Sequence, residues 1–534
     1  MAAVVGLLAA APARAATYVP ISGAGSTWSA NAVSQWAANV RQSGMTVNFQ
    51  ANGSSEGRKL FRQGVTDFGV TEIPYGLSDS RGGSDPAPTT GFAYMPVVAG
   101  GTSFMYNLKI GTKRVDNLRL SGATIAKIFT GQIRTWSDPA VKADNPGLTL
   151  PARKIIPVVR SDGSGTSAQF TLWMSKQHPA IWDAYCRKAG RATPCGLTSY
   201  YPVVRGLGFT AQNGSVQVAG YVASPTAEGA ITYVEYSYAV NQRFPVAKVL
   251  NRSGYFVSPT PEAVAVALTG ARINTDKTSK NYLTQILDGV YDNRDRRAYP
   301  LSSYSYMILP TAVQGRFTNA KGVTLGDFSY YFLCEGQQLA PRLGYSPLPI
   351  NLVRAGLDQV KRIPGADVKN KDISRCNNPT FSKSGENTLA KTAPQPRACD
   401  RKGPTQCTAA GVAVTGGTRG GTGAGGSGSG GAGTGTATTG GGTTGAGQGG
   451  GTGTGGSGSG ATVDPDTGQL VTNGQASAGE GTGNGDVSAL PVSLAADYAS
   501  GSSRTTLMGI AAALLLGVTV GPPLIARRLG RSRG

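Results

Sequence analysis

The sequence predicts an α/β fold whose ligand sits beyond the carboxyl ends of its strands, followed by a Gly-rich linker and one membrane-spanning helix. Three observations predict it. Short apolar strands alternate with helical segments through the part of the chain that carries nearly all the aromatic residues. Between Gly416 and Gly460, 25 of 45 residues are Gly and nearly all the others are Ser, Thr or Ala, which leaves nothing to build a core. Leu507 to Ile525 is an uncharged run of 19 residues followed by Arg527, Arg528, Arg531 and Arg533.

In chain order, residues 1–15 form an apolar stretch ending in the small-x-small pattern Ala13-Arg14-Ala15, the grammar of a cleaved secretory signal whose charged opening would lie upstream. Val47 to Phe49 reads as a strand, Ser54 to Gly64 as a helix with Leu60 and Phe61 inward, and Asp67 to Val70 as the next strand. Lys154 to Val159 reads as a buried strand despite Pro157, and Thr166 to Met174 as the helix after it. Gly229 to Glu235 and Tyr304 to Leu309 read as two more strands.

Charge narrows the partners. The 534 residues carry a net charge of +21, and the 127 from Thr408 onward hold 6 basic and 5 acidic residues, so the excess lies almost wholly in the first 407. That points to an anionic ligand or surface. The Lys and Arg are scattered with no aromatic interleaving, which argues against nucleic acid. His178, the only histidine, reads as a solvated residue near a helix end, and its solitude removes Ser-His-Asp and Cys-His catalysis.

Six cysteines, Cys186, Cys195, Cys334, Cys376, Cys399 and Cys407, suit an oxidising compartment. Spacing suggests Cys186 with Cys195 and Cys399 with Cys407, leaving Cys334 with Cys376, although six cysteines allow about 15 pairings. No Cys-x-x-Cys is present, so neither metal nor cofactor is expected. The Arg cluster after residue 525 places residues 526–534 in the cytoplasm and everything before the helix outside. A coil spanning 408–505 would have a reach of about 55 Å.

Three segments put small hydroxylic residues where a strand gives way to a helix: Gly23 to Trp28, Asn52 to Gly57, and Arg160 to Thr166. Free N–H groups and the dipole at a helix start attract anions, and Ser and Thr add donors. Any one segment reads equally as an ordinary N-cap. Three together, one led by an Arg whose fork suits an oxyanion, favour anion binding.

These motifs carry a family resemblance. Ile21-Ser-Gly-Ala-Gly-Ser-Thr-Trp28, Asn52-Gly-Ser-Ser55, Asp67-Phe-Gly69, Arg160-Ser-Asp-Gly-Ser-Gly-Thr-Ser167, Gly229-Ala-Ile-Thr-Tyr-Val-Glu235 and Tyr299-Pro-Leu-Ser-Ser-Tyr-Ser-Tyr306 resemble, in that order, the phosphate-binding protein of bacterial ABC phosphate importers. The resemblance covers about residues 21–363. It implies a two-lobed, periplasmic-binding-protein-like fold, with one lobe at about 16–100 and 300–363 and the other at about 101–299; the binding domain is read as a monomer spanning 16–407, whose disulfide-bearing extension at 364–407 lies beyond the resemblance. Phosphate would be captured by closure of the lobes and passed to an ABC permease. Thr27, Trp28 and Ser54 would donate to phosphate, as would Ser164, Gly165 and Thr166. Arg160 would supply the charged fork, oriented by Asp162. Where the family places an aspartate that accepts the phosphate proton, this chain has Glu72. Two other classes stay open: a surface adhesin or sensor that kept the fold, motivated by the tether and linker, and a phosphatase, for which neither metal ligands nor a nucleophile with its base is found.

Overall fold

The computed structural model describes residues 18–76, 85–276, 278–279, 282, 284–369, 371–382, 385–408, 413–415, 462–463 and 470–471. The signal expected at 1–15, nearly all of the linker, the apolar run at 507–525 and the Arg-rich tail lie outside the described residues. Among the described residues, no helix is long and apolar enough to cross a membrane. In the segment from Gly425 onward, those residues form one antiparallel pair, Thr462–Val463 with Leu470–Val471.

Up to Ala424 the chain is organised around one eight-stranded sheet. Its strands, in chain order, are β1 (Ile21–Gly25), β2 (Val47–Gln50), β3 (Phe68–Thr71), β4 (Phe92–Tyr106), β5 (Ile156–Arg160), β6 (Thr210–Gln212), β7 (Ala230–Glu235) and β8 (Ser302–Pro310). They lie in the order β2-β1-β3-β8-β4-β7-β5-β6. β1 pairs in parallel with β2 and β3, and β5 in parallel with β6 and β7. The two parallel groups are joined through antiparallel β8 and β4. The 15-residue β4 changes partner along its length: residues 92–101 face β8 and residues 102–106 face β7.

Helices follow the parallel strands: α1 (Ala30–Val40) after β1, α2 (Ser54–Arg62) after β2, α3 (Gly165–Gln177) after β5, α4 (Gly214–Ala223) after β6 and α5 (Tyr236–Gln242) after β7. This is the alternation the sequence predicts. α2 lies so close to β1 that a β-carbon on Gly57 would stand 2.3 Å from the Gly25 Cα, so only glycine permits this approach. Buried apolar side chains form two clusters, one holding Trp36 stacked on Phe332 together with the edge-to-face rings of Phe104, Phe129, Phe170 and Tyr233, the other built on Met105, Val158, Val218 and Val234.

Four expectations shift in detail. α2 ends at Arg62, and Arg58 rather than Leu60 is buried beside Phe61, because its guanidinium pairs with Asp85 at 2.6 Å. β5 begins at Ile156, leaving Lys154 exposed. Pro157 fits because Ile156 N–H donates to Gly229 O on one side, so the missing donor faces β6, where pairing begins only at Val158. His178 is not solvated: it is half-buried, its ring 5.0 Å from that of Trp173, and burial lowers its pKa to about 4.

The disulfides are Cys186–Cys195, Cys334–Cys376 and Cys399–Cys407, the pairing spacing suggested. The last closes a loop on Arg119, a buried side chain that donates to Cys399 O at 3.1 Å and Thr405 O at 3.0 Å and lies 4.4 Å from the Phe256 ring. Lys248 pairs with Asp400 at 2.6 Å. The extension after residue 363 is thus bonded both to the helix Asn319–Leu333, whose C-cap is Cys334, and to the region of Arg119 and Lys248.

Candidate anion site

Every residue singled out for anion binding lies at or just beyond the carboxyl end of a parallel strand, where an α/β sheet leaves backbone N–H groups and helix starts uncovered. Thr27 and Trp28 follow β1, Ser54 opens α2 after β2, and Glu72 follows β3. Arg160 ends β5, and Asp162, Ser164, Gly165 and Thr166 carry the chain into α3.

Two bonded groups make up the site. The first is centred on Glu72, fully buried at 0% exposure. Its Oε1 accepts from Ser26 and Ser305 hydroxyls at 2.6 Å each, and its Oε2 accepts from Ser54 at 2.7 Å. Gly165 N–H donates to Ser54 Oγ at 3.1 Å, so the start of α3 reaches the carboxylate through one hydroxyl. A β-carbon on Gly165 would lie 1.8 Å from Glu72 Oε2. Trp28 N–H donates to Ser26 Oγ at 3.0 Å, which holds the first loop to the same carboxylate. Burial raises the Glu72 pKa; the three hydroxyls and the Arg160 charge oppose it without cancelling it.

The second group is centred on Arg160, 2% exposed. Its fork meets Asp162 with both oxygens, Nε to Oδ1 at 2.6 Å and Nη2 to Oδ2. Burial works to raise the Asp162 carboxyl, but the Arg160 fork outweighs it and the pKa falls below the ordinary value. Arg160 Nη1 donates to Ser215 Oγ at 3.1 Å, and that hydroxyl is 2.8 Å from Thr27 Oγ1. Ser164 caps α3 through Ser167 N–H at 3.1 Å. The Thr166 hydroxyl and the Trp28 indole N–H are both buried without a hydrogen-bond partner.

The groups meet where the loop after β2 touches the loop after β5. Ser55 N–H donates to Gly163 O at 3.1 Å, and a β-carbon on Gly53 would lie 3.0 Å from Asp162 Oδ2. Seven of the nine residues are thus linked through hydrogen bonds, with Ser164 and Thr166 flanking Gly165 at the start of α3, in a cluster of hydroxyls, helix starts and one neutralised Arg whose donors are of the kind an oxyanion accepts from. Three further members were not singled out from the sequence: Ser26, Ser215 and Ser305. Ser215 had a signal, since it opens α4 after β6 and repeats the hydroxylic strand-to-helix pattern a fourth time. Among the described residues, no group of His, Cys, Asp or Glu could hold a metal ion.

Residues 10–335 match the model of the PBP superfamily domain. The chain is similar to the phosphate-binding protein PstS of Methanocaldococcus jannaschii, at 30% identity over 352 residues covering 64% of this chain and 85% of the relative. It is also similar to the phosphate-binding protein PstS of Xylella fastidiosa, at 32% identity over 338 residues covering 63% of this chain and 83% of the relative. The solved structure of the ancestral soluble variant of the human phosphate-binding protein aligns at 19% identity with a TM-score of 0.48, covering 66% of this chain and 99% of that one.

Proposed function

The chain belongs to the phosphate-binding proteins of the PBP superfamily, and from that premise we propose that it captures inorganic phosphate at the cluster around Arg160 and Glu72 for delivery to an ABC importer. One observation carries the reading: the Arg-Ser-Asp-Gly-Ser-Gly-Thr segment brings a bidentately held guanidinium and the start of α3 to the same buried cluster as Ser54 and Glu72. Arg160 is neutralised by Asp162, so the site holds its anion chiefly by directed hydrogen bonds rather than by free positive charge. Such donors count for most where water is excluded.

Capture works by closure of two lobes that meet along β4, one built on β1, β2, β3 and β8 and the other on β5, β6 and β7. Thr27 and Ser54 come from the first; Arg160, Gly165 and Ser215 come from the second. The hydrogen bonds between Thr27 and Ser215, and between Ser54 and Gly165, join them. A tether is part of the proposal on sequence grounds alone: the apolar run at 507–525 with its Arg-rich flank has the length and charge pattern of a membrane anchor.

Equilibrium dialysis of the full chain against labelled phosphate tests the proposal. Saturable binding by the parent is expected, with loss of about two to four decades of affinity in Arg160→Ala, because removing one partner of a buried ion pair costs about 3–5 kcal/mol. A parent that retains no phosphate, or an Arg160→Ala variant that binds like the parent, overturns it.

A further inference from the structure

A carboxylate has two oxygens and about four lone-pair directions, and three of those on Glu72 are already taken. Oε1 receives both Ser26 and Ser305, while Oε2 receives Ser54 alone. The sense of two of these bonds is fixed from behind. Ser26 Oγ accepts Trp28 N–H and Ser54 Oγ accepts Gly165 N–H, so their protons are free to point at Glu72.

Ser305 arrives by a different route. It lies on β8, 233 residues further along the chain, where the pairing with β4 breaks register. Tyr304 is opposite Ala99 and Tyr306 is opposite Pro96, so β4 advances three residues while β8 advances two. The extra residue belongs to β4, which leaves Ser305 opposite two residues of that strand, and irregularities of this kind are common beside functional sites. Here the hydroxyl at the irregularity meets a fully buried carboxylate.

We propose that Ser305 is a positioning residue for anion selectivity: with Ser26 it fills Oε1 of Glu72, so that the acceptor position left on Oε2, beside Gly165, reads one proton of the bound anion. The inference rests on the phosphate reading above. Through that acceptor, a protonated tetrahedral anion donates to Glu72, whereas an unprotonated one faces an oxygen it cannot bond unless Glu72 itself carries the proton. Selectivity then follows the protonation of Glu72, which Ser305 helps to keep ionised against burial. The charged and titratable groups that act on this carboxylate are Arg160 from β5, Tyr306 from β8, Tyr238 from α5, and Tyr345. Of these only Arg160 is a cation, and Asp162 engages its fork. The three serine hydroxyls are therefore the main support of the ionised form.

The test uses the full chain and two probes, phosphate and sulfate. Sulfate has no proton to give near neutral pH, so the pH dependence of its binding reports Glu72. In the parent, sulfate affinity should rise as pH falls. Ser305→Ala should lower the preference for phosphate about tenfold at neutral pH and move the sulfate profile about one unit towards higher pH. Ser305→Cys keeps the volume but weakens the donor, so it should behave like Ser305→Ala if the hydrogen bond matters and like the parent if only packing does. Parental selectivity and a parental sulfate profile in Ser305→Ala, or in Ser305→Cys if the alanine variant does not fold, overturn the inference while leaving phosphate binding intact. A parent that binds no phosphate overturns both readings together.

Discussion

Glu72 and Gly165 approach so closely that a β-carbon on Gly165 would stand 1.8 Å from the Glu72 carboxylate. The contact joins the loop after β3 to the start of α3, and it fixes how far the longer side chain of a glutamate can extend into the site. Glycine at 165 is needed for that closeness rather than for an unusual backbone angle, since its φ is not among the positive ones.

Gly165→Ala should therefore push the carboxylate out of place or move the helix start. Overpacking of a well-packed interior costs about 1–3 kcal/mol, so the variant should melt several degrees lower and bind phosphate at least about tenfold more weakly. Thermal melts with and without phosphate check this. A variant with parental melting and affinity would show that the two elements have room to separate.

Arg160→Lys separates charge from geometry. Lysine keeps the positive charge but cannot meet both Asp162 oxygens with a planar fork, so affinity should fall by at least about tenfold although net charge is unchanged. Binding isotherms of the two proteins at one pH and salt concentration measure the difference. Equal affinity would mean that the bidentate pair does not organise the site.

The Cys399–Cys407 loop should matter to stability because it holds the carbonyls that receive the buried Arg119. Closing a loop of this size constrains the unfolded chain by about 2.5 kcal/mol in the chain-entropy account. The double serine variant should show a lower urea midpoint with little change in slope. An unchanged midpoint would show that the loop stays seated without its covalent bond.

Glu235 makes stability depend on pH. It is fully buried, its Oε1 has no hydrogen-bond partner, and Oε2 accepts Ser237 N–H at 2.7 Å. Burial raises its pKa well above the ordinary 4.5, and the bonds to Ser237 oppose the rise only in part. The folded chain thus holds this proton more tightly than the unfolded chain. Its contribution to stability is complete below the ordinary value and is lost as pH rises through the raised one. The melting temperature of the parent minus that of Glu235→Gln should accordingly fall between pH 5 and pH 8. Parallel curves would assign the pH dependence to other groups.

Much of this was legible in local pattern. Strand-to-helix alternation and the hydroxylic helix starts mark the segments that hold Thr27, Ser54, Arg160 and Gly165, and the family resemblance points to those residues within them, because each of these signals is contiguous in the chain. Ser305 escaped because its role depends on a break in register between β8 and β4, which no run of residues displays. His178 was misread because its neighbour Trp173 is five residues away, across the end of a helix, and shields one face of the ring. Arg58 was missed as an interior residue because its partner Asp85 lies 27 positions later.

The most direct measurement is a calorimetric titration of the full chain and of Glu72→Gln with phosphate and with sulfate, at fixed pH and salt. The account predicts one phosphate per chain, bound at least about a hundredfold more tightly than sulfate by the parent, the equivalent of ~2.7 kcal/mol. Most of that preference should vanish in Glu72→Gln, whose neutral amide can donate to sulfate. Equal selectivity in parent and variant, or no phosphate heat from the parent, would contradict it.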